Sequence, residues 1–138
     1  MQLILNNFLF IFLTFCFGAS AEDYICSKGK ITQIYFGKLL EEKAEYCYNQ
    51  DKTSLISKSC LDKKCSAFTK IGIFDFNEFS NTVGNPAFHF CRKLGGNPEM
   101  VTFYVESVPY KLNRCLFPDG SFVNTGMLMN YYMQRQQN

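Results

Sequence analysis

Beyond Pro86 the apolar positions change their period twice. Ala87, Phe90, Cys91 and Leu94 recur at helical spacing with Arg92 and Lys93 turned away, which predicts a helix with one buried face. Asn85 is placed to cap its free N–H groups and Pro86 suits its first position. Gly95-Gly96 ends it, because a left-handed residue past the last turn costs least without a side chain. Met100 to Glu106 and Tyr110 to Phe117, rich in β-branched and aromatic residues, predict two strands joined through Ser107, Val108 and Pro109. Phe117-Pro118-Asp119-Gly120-Ser121 predicts a tight turn. Asn124 or Thr125 then caps a last helix to Gln134, with Met127, Leu128, Tyr131 and Tyr132 on one apolar face.

Upstream of Pro86 the period is two. Ile31 to Lys38, Lys43 to Asn49 and Thr53 to Ser59 predict short strands. Alternation is clearest in the second, where Ala44, Tyr46 and Tyr48 share one face and Glu45, Cys47 and Asn49 the other. Leu39 to Lys43 also fits a short helical turn, and Asn49-Gln50-Asp51-Lys52 is a polar turn. Ala67 to Phe76 predicts a further strand, and Ser80 to Gly84 is the most linker-like stretch. The expected organisation is a β-rich part over residues 22–80 and a helix-hairpin-helix part over 84–134. The expected class is α+β: short antiparallel strands, in two small sheets or one shared sheet, with two helices in the C-terminal half.

Residues 1–21 carry no charge, and the apolar run Phe8 to Phe17 closes in Gly18-Ala19-Ser20-Ala21. Small residues at 19 and 21 mark a signal-peptidase site, so the mature chain is expected to begin at Glu22, although no Lys or Arg precedes the apolar run. The alternative is an uncleaved anchor, for which Asn6 and Asn7 leave a short apolar core. A periplasmic or secreted protein follows, with no stable membrane span after cleavage. The formal charge of +2 falls wholly in the mature part and gives no basic stripe for nucleic acid. Lys111 and Arg114 read as ordinary solvated charge.

Of seven cysteines, Cys16 lies in the leader, leaving Cys26, Cys47, Cys60, Cys65, Cys91 and Cys115. An even number in a short exported chain reads as three disulfides, with fifteen pairings open. Zinc is the competing reading, disfavoured by a single His and by the lack of close Cys-x-x-Cys spacing, so no metal site and no cofactor are expected. A weak internal echo narrows the pairing. Cys26 leads into an apolar run and then Glu45-Tyr46-Cys47, and Cys91 leads into Thr102-Phe103-Tyr104 and then Asn113-Arg114-Cys115. As a degenerate repeat it pairs Cys26 with Cys47 and Cys91 with Cys115, leaving Cys60 with Cys65; as mere composition it pairs nothing.

The set Asn85-Pro86-Ala87, Phe90-Cys91, Gly95-Gly96 and Cys115-Leu116-Phe117-Pro118-Asp119-Gly120-Ser121 resembles a small bacterial domain family of unknown function, often labelled "putative hemolysin". The resemblance covers residues 84–122. The chain departs from the family after the turn, with Phe122-Val123, no Trp and no later Cys.

Candidate chemistry is sparse. His89, the only imidazole, lies on the helix face away from Ala87, Phe90, Cys91 and Leu94 and reads as an ordinary partly exposed side chain. Asp75 and Glu78 are the one candidate acid pair and read better as strand-end solvation. Asp119 and Ser121 either present a ligand site or merely satisfy a tight turn. Met129 and Met133, four residues apart, form either an adaptable partner surface or more core. No catalytic residue emerges. The leading expectation is a non-enzymatic periplasmic or secreted binding or structural module with an unknown protein or envelope partner. A membrane-active protein is the alternative that the family label implies, and a small hydrolase using His89 is the third.

Overall fold

A computed structural model describes residues 23–138. The expected signal peptide and its cleavage site lie outside the described residues. Six antiparallel strands close into a barrel in the order β1 (Tyr24–Tyr35), β2 (Lys38–Asn49), β3 (Leu55–Ser57), β6 (Phe122–Val123), β5 (Val108–Leu116) and β4 (Asn97–Val105), which returns to β1. Three helices join them: α1 (Phe76–Ser80), α2 (Pro86–Lys93) and α3 (Thr125–Gln137). The described chain is therefore predominantly β, with one shared sheet, and the α+β expectation is corrected. The residues read as a β-rich part and a C-terminal part contribute strands to the same barrel.

The period of two fixes the layers. Tyr46 and Tyr48 of β2, Leu55, Val101, Phe103 and Phe122 point into the barrel with Ile31 and form one cluster. Their neighbours Cys47, Ile56, Cys115 and Val123 point outward into a second cluster with Phe79, Phe90, Leu94, Leu128 and Tyr132 of the helices. Where the helical layer covers the barrel, both faces of a strand are buried. Elsewhere, on β1 and the first part of β2, the outer face meets solvent.

Both long hairpins turn through two residues with positive φ, Phe36 (45°) and Gly37 (74°) between β1 and β2, and Glu106 (50°) and Ser107 (68°) between β4 and β5. That conformation matches the right-handed twist of the strands, so the second turn lies earlier than the expected Ser107-Val108-Pro109. The possible helical turn at Leu39 to Lys43 is strand. β1 extends well upstream of the expected start, through Lys28-Gly29-Lys30. Gly29 is required there, because a Cβ would lie 2.6 Å from the Tyr46 hydroxyl, which itself crosses the barrel to donate to the Tyr104 carbonyl at 2.7 Å.

The expected strand from Ala67 to Phe76 is absent. Closing the barrel leaves it no edge to join, and side chains satisfy its backbone instead. The Lys70 N–H donates to the Tyr132 hydroxyl, while Gln136 both accepts from Phe74 N–H and donates to its carbonyl. Asp75 then caps α1 by accepting from Asn77 N–H, and Glu78 pairs at the surface with Lys93. Asp75 and Glu78 are helix-start residues rather than strand-end ones.

Three cystines cross-link the described chain: Cys26–Cys47, Cys60–Cys65 and Cys91–Cys115. This is the pairing the internal echo implies, yet the two long loops differ in construction. Cys26 faces Cys47 across the β1–β2 ladder, whereas Cys91 reaches Cys115 from helix α2. The halves share a hairpin with a two-residue turn, and the first cysteine of each is not equivalent.

Candidate functional site

Asn85 accepts from Ala87 N–H and Pro86 occupies the first turn, so α2 begins where the sequence places it. Its far end closes with Gly95 N–H donating to the Arg92 carbonyl and Gly96 N–H to the Cys91 carbonyl, the paired bonds of a Schellman ending, with Gly95 at φ 89°. Gly96 has a separate reason to lack a side chain. A Cβ there would collide with the Cys115 sulfur and crowd that of Cys91, with the Phe117 ring 3.3 Å away. The second glycine is the bed on which the cystine lies.

From Cys115 the chain enters the turn, closed by Gly120 N–H donating to the Phe117 carbonyl. Asp119 Oδ1 accepts from Ser121 N–H and from Ser121 Oγ at 2.6 Å, and Oδ2 accepts from Ser66 Oγ at 2.8 Å. Ser66 and Ser121 hydroxyls also lie 3.0 Å apart. These bonds, led by the one from the Ser121 hydroxyl, hold the Asp119 carboxyl below its ordinary range. Asp119 and Ser121 are thus brought together, and Ser66 joins them from the segment after Cys65. Ser66 was not legible as a partner, since 53 positions separate it from Asp119 with no shared pattern.

The turn walls a cleft of about 620 Å³, of mixed polar and apolar lining, whose other side is Glu42 to Glu45 of β2 and whose end is Ser57 to Ser59. Proton abstraction by Asp119 is disfavoured in this cleft. A carboxylate that already accepts three hydrogen bonds, with its pKa lowered, is a poor base toward either serine. His89 stands elsewhere, its Nε2 2.8 Å from the Val83 carbonyl. Among the described residues no three His, Cys, Asp or Glu side chains are grouped to hold a metal ion.

Met129 and Met133 are half-buried on α3, and Met129 packs against the helical-side cluster. Neither lines the cleft that Asp119 and Ser121 wall. A second cleft, of about 690 Å³, instead opens on another side of α3 along Gly126, Met127, Asn130 and Tyr131, facing Tyr24 and Ser54. There the Tyr24 hydroxyl donates to Met127 Sδ at 3.1 Å.

Arg114 overturns its expectation of a solvated charge. Only 1% exposed, it directs its guanidinium into the barrel, donating from Nε at 3.0 Å and Nη2 at 2.9 Å to Glu99 Oε2 and from Nη1 to Glu42, with the Phe122 ring 4.8 Å away. The signal was present in the sequence: Arg114 shares the inward period with Leu112 and Leu116, and Glu99 lies opposite it in the hairpin. At the β1–β2 tip the exposed Ile34, Tyr35 and Phe36 were read only as strand, and the exposed Leu39 and Leu40 as fitting a short helical turn.

No protein-family model matches the chain, and comparison with curated proteins and with solved structures finds no match to either.

Proposed function

We propose that the chain is an exported, non-enzymatic binding or structural module, periplasmic or secreted, whose recognised C-terminal pattern encodes a scaffold. One observation carries this reading: each element on which the family resemblance rests has a structural task. Asn85 and Pro86 start α2, Phe90 fills the core, Cys91 and Cys115 join helix to barrel, Gly96 makes room for them, and Asp119 with Ser121 fixes the turn. Such a set supports a rigid frame that presents other surfaces. Three cystines fit an oxidising compartment. Among the described residues no helix is long and apolar enough to cross a membrane.

The test is a panel of ester, peptide and glycoside substrates offered to the oxidised protein and to Ser121→Ala and His89→Ala. No turnover distinguishable between the three proteins is expected. Turnover that Ser121→Ala or His89→Ala abolishes, with the cystines intact, would establish a hydrolase instead.

A further inference from the structure

We infer that the tip of the β1–β2 hairpin, Ile34 to Leu40, docks the protein onto an anionic lipid surface by shallow insertion. The inference rests on the reading of the chain as an exported binding module and supplies its partner.

The tip is apolar and exposed: Ile34 is 77% exposed, Tyr35 58%, Phe36 88% and Leu39 63%. Ile34 faces Leu39 across the ladder, so these two share one face, while Tyr35 and Leu40 lie on the other and Phe36 occupies the apex. Apolar side chains therefore lie on both faces and at the apex of the tip, with Lys38 and Gln33 beside Tyr35 and Leu40. A groove or the flat face of a second protein would cover one side of it, and two convex tips would bury little of each other. A medium that closes around it on all sides fits better, as an acyl-chain boundary does. Among the described residues β1 ladders to β4 only at Ile31 and Thr32, and β2 to β3 only at Tyr46 to Tyr48, so residues 33–40 are laddered only to each other. At strand rise, Gln33 to Phe36 spans about 10 Å, comparable to the depth of headgroup and upper acyl chains.

The turn itself supplies an internal comparison. The β4–β5 hairpin makes the same two-residue turn with Glu106-Ser107, the polar choice that exposure calls for. The β1–β2 turn places a bulky aromatic residue at φ 45°, a conformation that asparagine or glycine adopts at less cost, and leaves it in solvent. Its ring packs edge-on against the neighbouring, equally exposed Tyr35, 4.5 Å between centroids, and neither the turn geometry nor an aromatic contact beyond the tip asks for Phe36. A residue unfavourable in both respects points to a role outside the folded chain.

Charge selects the kind of surface. Lys38 is the only charged residue from Ile34 to Leu40, and it forms no ion pair among the described residues. Behind it Glu41 pairs with Lys30, and Arg114 is shared between Glu42 and Glu99, so Lys38 is the one cation on the tip itself, beside aromatic rings. That combination suits anionic headgroups above an apolar boundary.

The chain contains no Trp, so Phe36→Trp places a single indole at the apex. With phosphatidylglycerol-containing vesicles, its emission is expected to shift to the blue and the protein to sediment with the vesicles, more weakly with pure phosphatidylcholine. Phe36→Asn is expected to lower vesicle binding at least tenfold without lowering the Tm, and Glu106→Asn in the other hairpin to leave binding unchanged. Absence of both the shift and sedimentation, in protein whose cystines are intact, overturns the inference and leaves the exported module standing. Concentration-dependent dimers abolished by Phe36→Asn, with no vesicle binding, would overturn it in favour of a second copy. Free thiols in the natively exported protein would instead strike the reading on which it rests.

Discussion

Arg114 holds its guanidinium inside the barrel against Glu99 and Glu42, and the two carboxylates are not equivalent. Glu99 is largely buried and takes two of the three bonds, whereas the Glu42 side chain is 43% exposed. Removing the buried partner leaves a buried charge short of its counter-charge, so Glu99→Gln is expected to cost about 3 kcal/mol. Glu42→Gln, screened by solvent, should cost about 1 kcal/mol or less. Urea unfolding of the two variants checks the order, and equal costs would contradict the burial argument. Asp119 makes a pH prediction. Its folded pKa is lowered from 3.8, so its contribution is present in full above that value and is lost as pH falls through the lower folded one. Asp119→Asn is therefore expected to destabilise at pH 7 and to flatten the loss of stability below pH about 4, the range set by ordinary Asp values. Thermal unfolding at the two pH values measures it. At the alkaline end, burial raises the Tyr46 and Tyr132 pKa values, so stability from their neutral hydroxyls persists below the ordinary value of 10.0 and is lost as pH rises through the folded ones.

At the scale of elements, Gly96 is the point where helix, strand and cystine meet. Gly96→Ala puts a methyl group onto the two sulfurs, so the Cys91–Cys115 bond is expected to form poorly, giving two reactive thiols and a lowered Tm. An unchanged thiol count would show that the helix shifts to accommodate it. The bounds of α2 were legible because Asn85, Pro86 and Gly95 act through local backbone chemistry, and the strands of the second hairpin because they are rich in β-branched and aromatic residues. In the first hairpin the expected strand Ile31 to Lys38 runs through the Phe36-Gly37 turn, which carries no polar turn signal at its first position. The segment after Ala67 was not, since Ile71 and Ile73 alternate as a strand does while the barrel offers no edge, a fact set by strands distant in sequence. β6, two residues long, is too short to carry a period of its own. Of the candidate site, Asp119 and Ser121 were legible from turn chemistry alone, and Ser66 was not. Arg114 was misread because charge was weighed without asking which face of its strand it occupies.

The whole molecule is small for a barrel with a helical layer, and cross-links supply what the two clusters alone do not. Under the chain-entropy model the links separated by 21 and 24 residues contribute about 3 kcal/mol each and the link separated by 5 about 2 kcal/mol. That sum is comparable to the entire stability of an ordinary domain, about 5–15 kcal/mol. Full reduction is thus expected to unfold the protein at ambient temperature, visible as loss of near-ultraviolet circular dichroism, and retention of a native spectrum would show that packing suffices. The proposed export, the cystine frame and the exposed tip form one proposal, in which a covalently fixed barrel carries an apolar hairpin to a surface outside the cytoplasm. The measurement that bears on it most directly is peptide mapping, without reduction, of the protein as its own cell exports it. A chain beginning at Glu22 with links Cys26–Cys47, Cys60–Cys65 and Cys91–Cys115 is predicted. Free thiols at these six positions, or links joining other pairs, would contradict it.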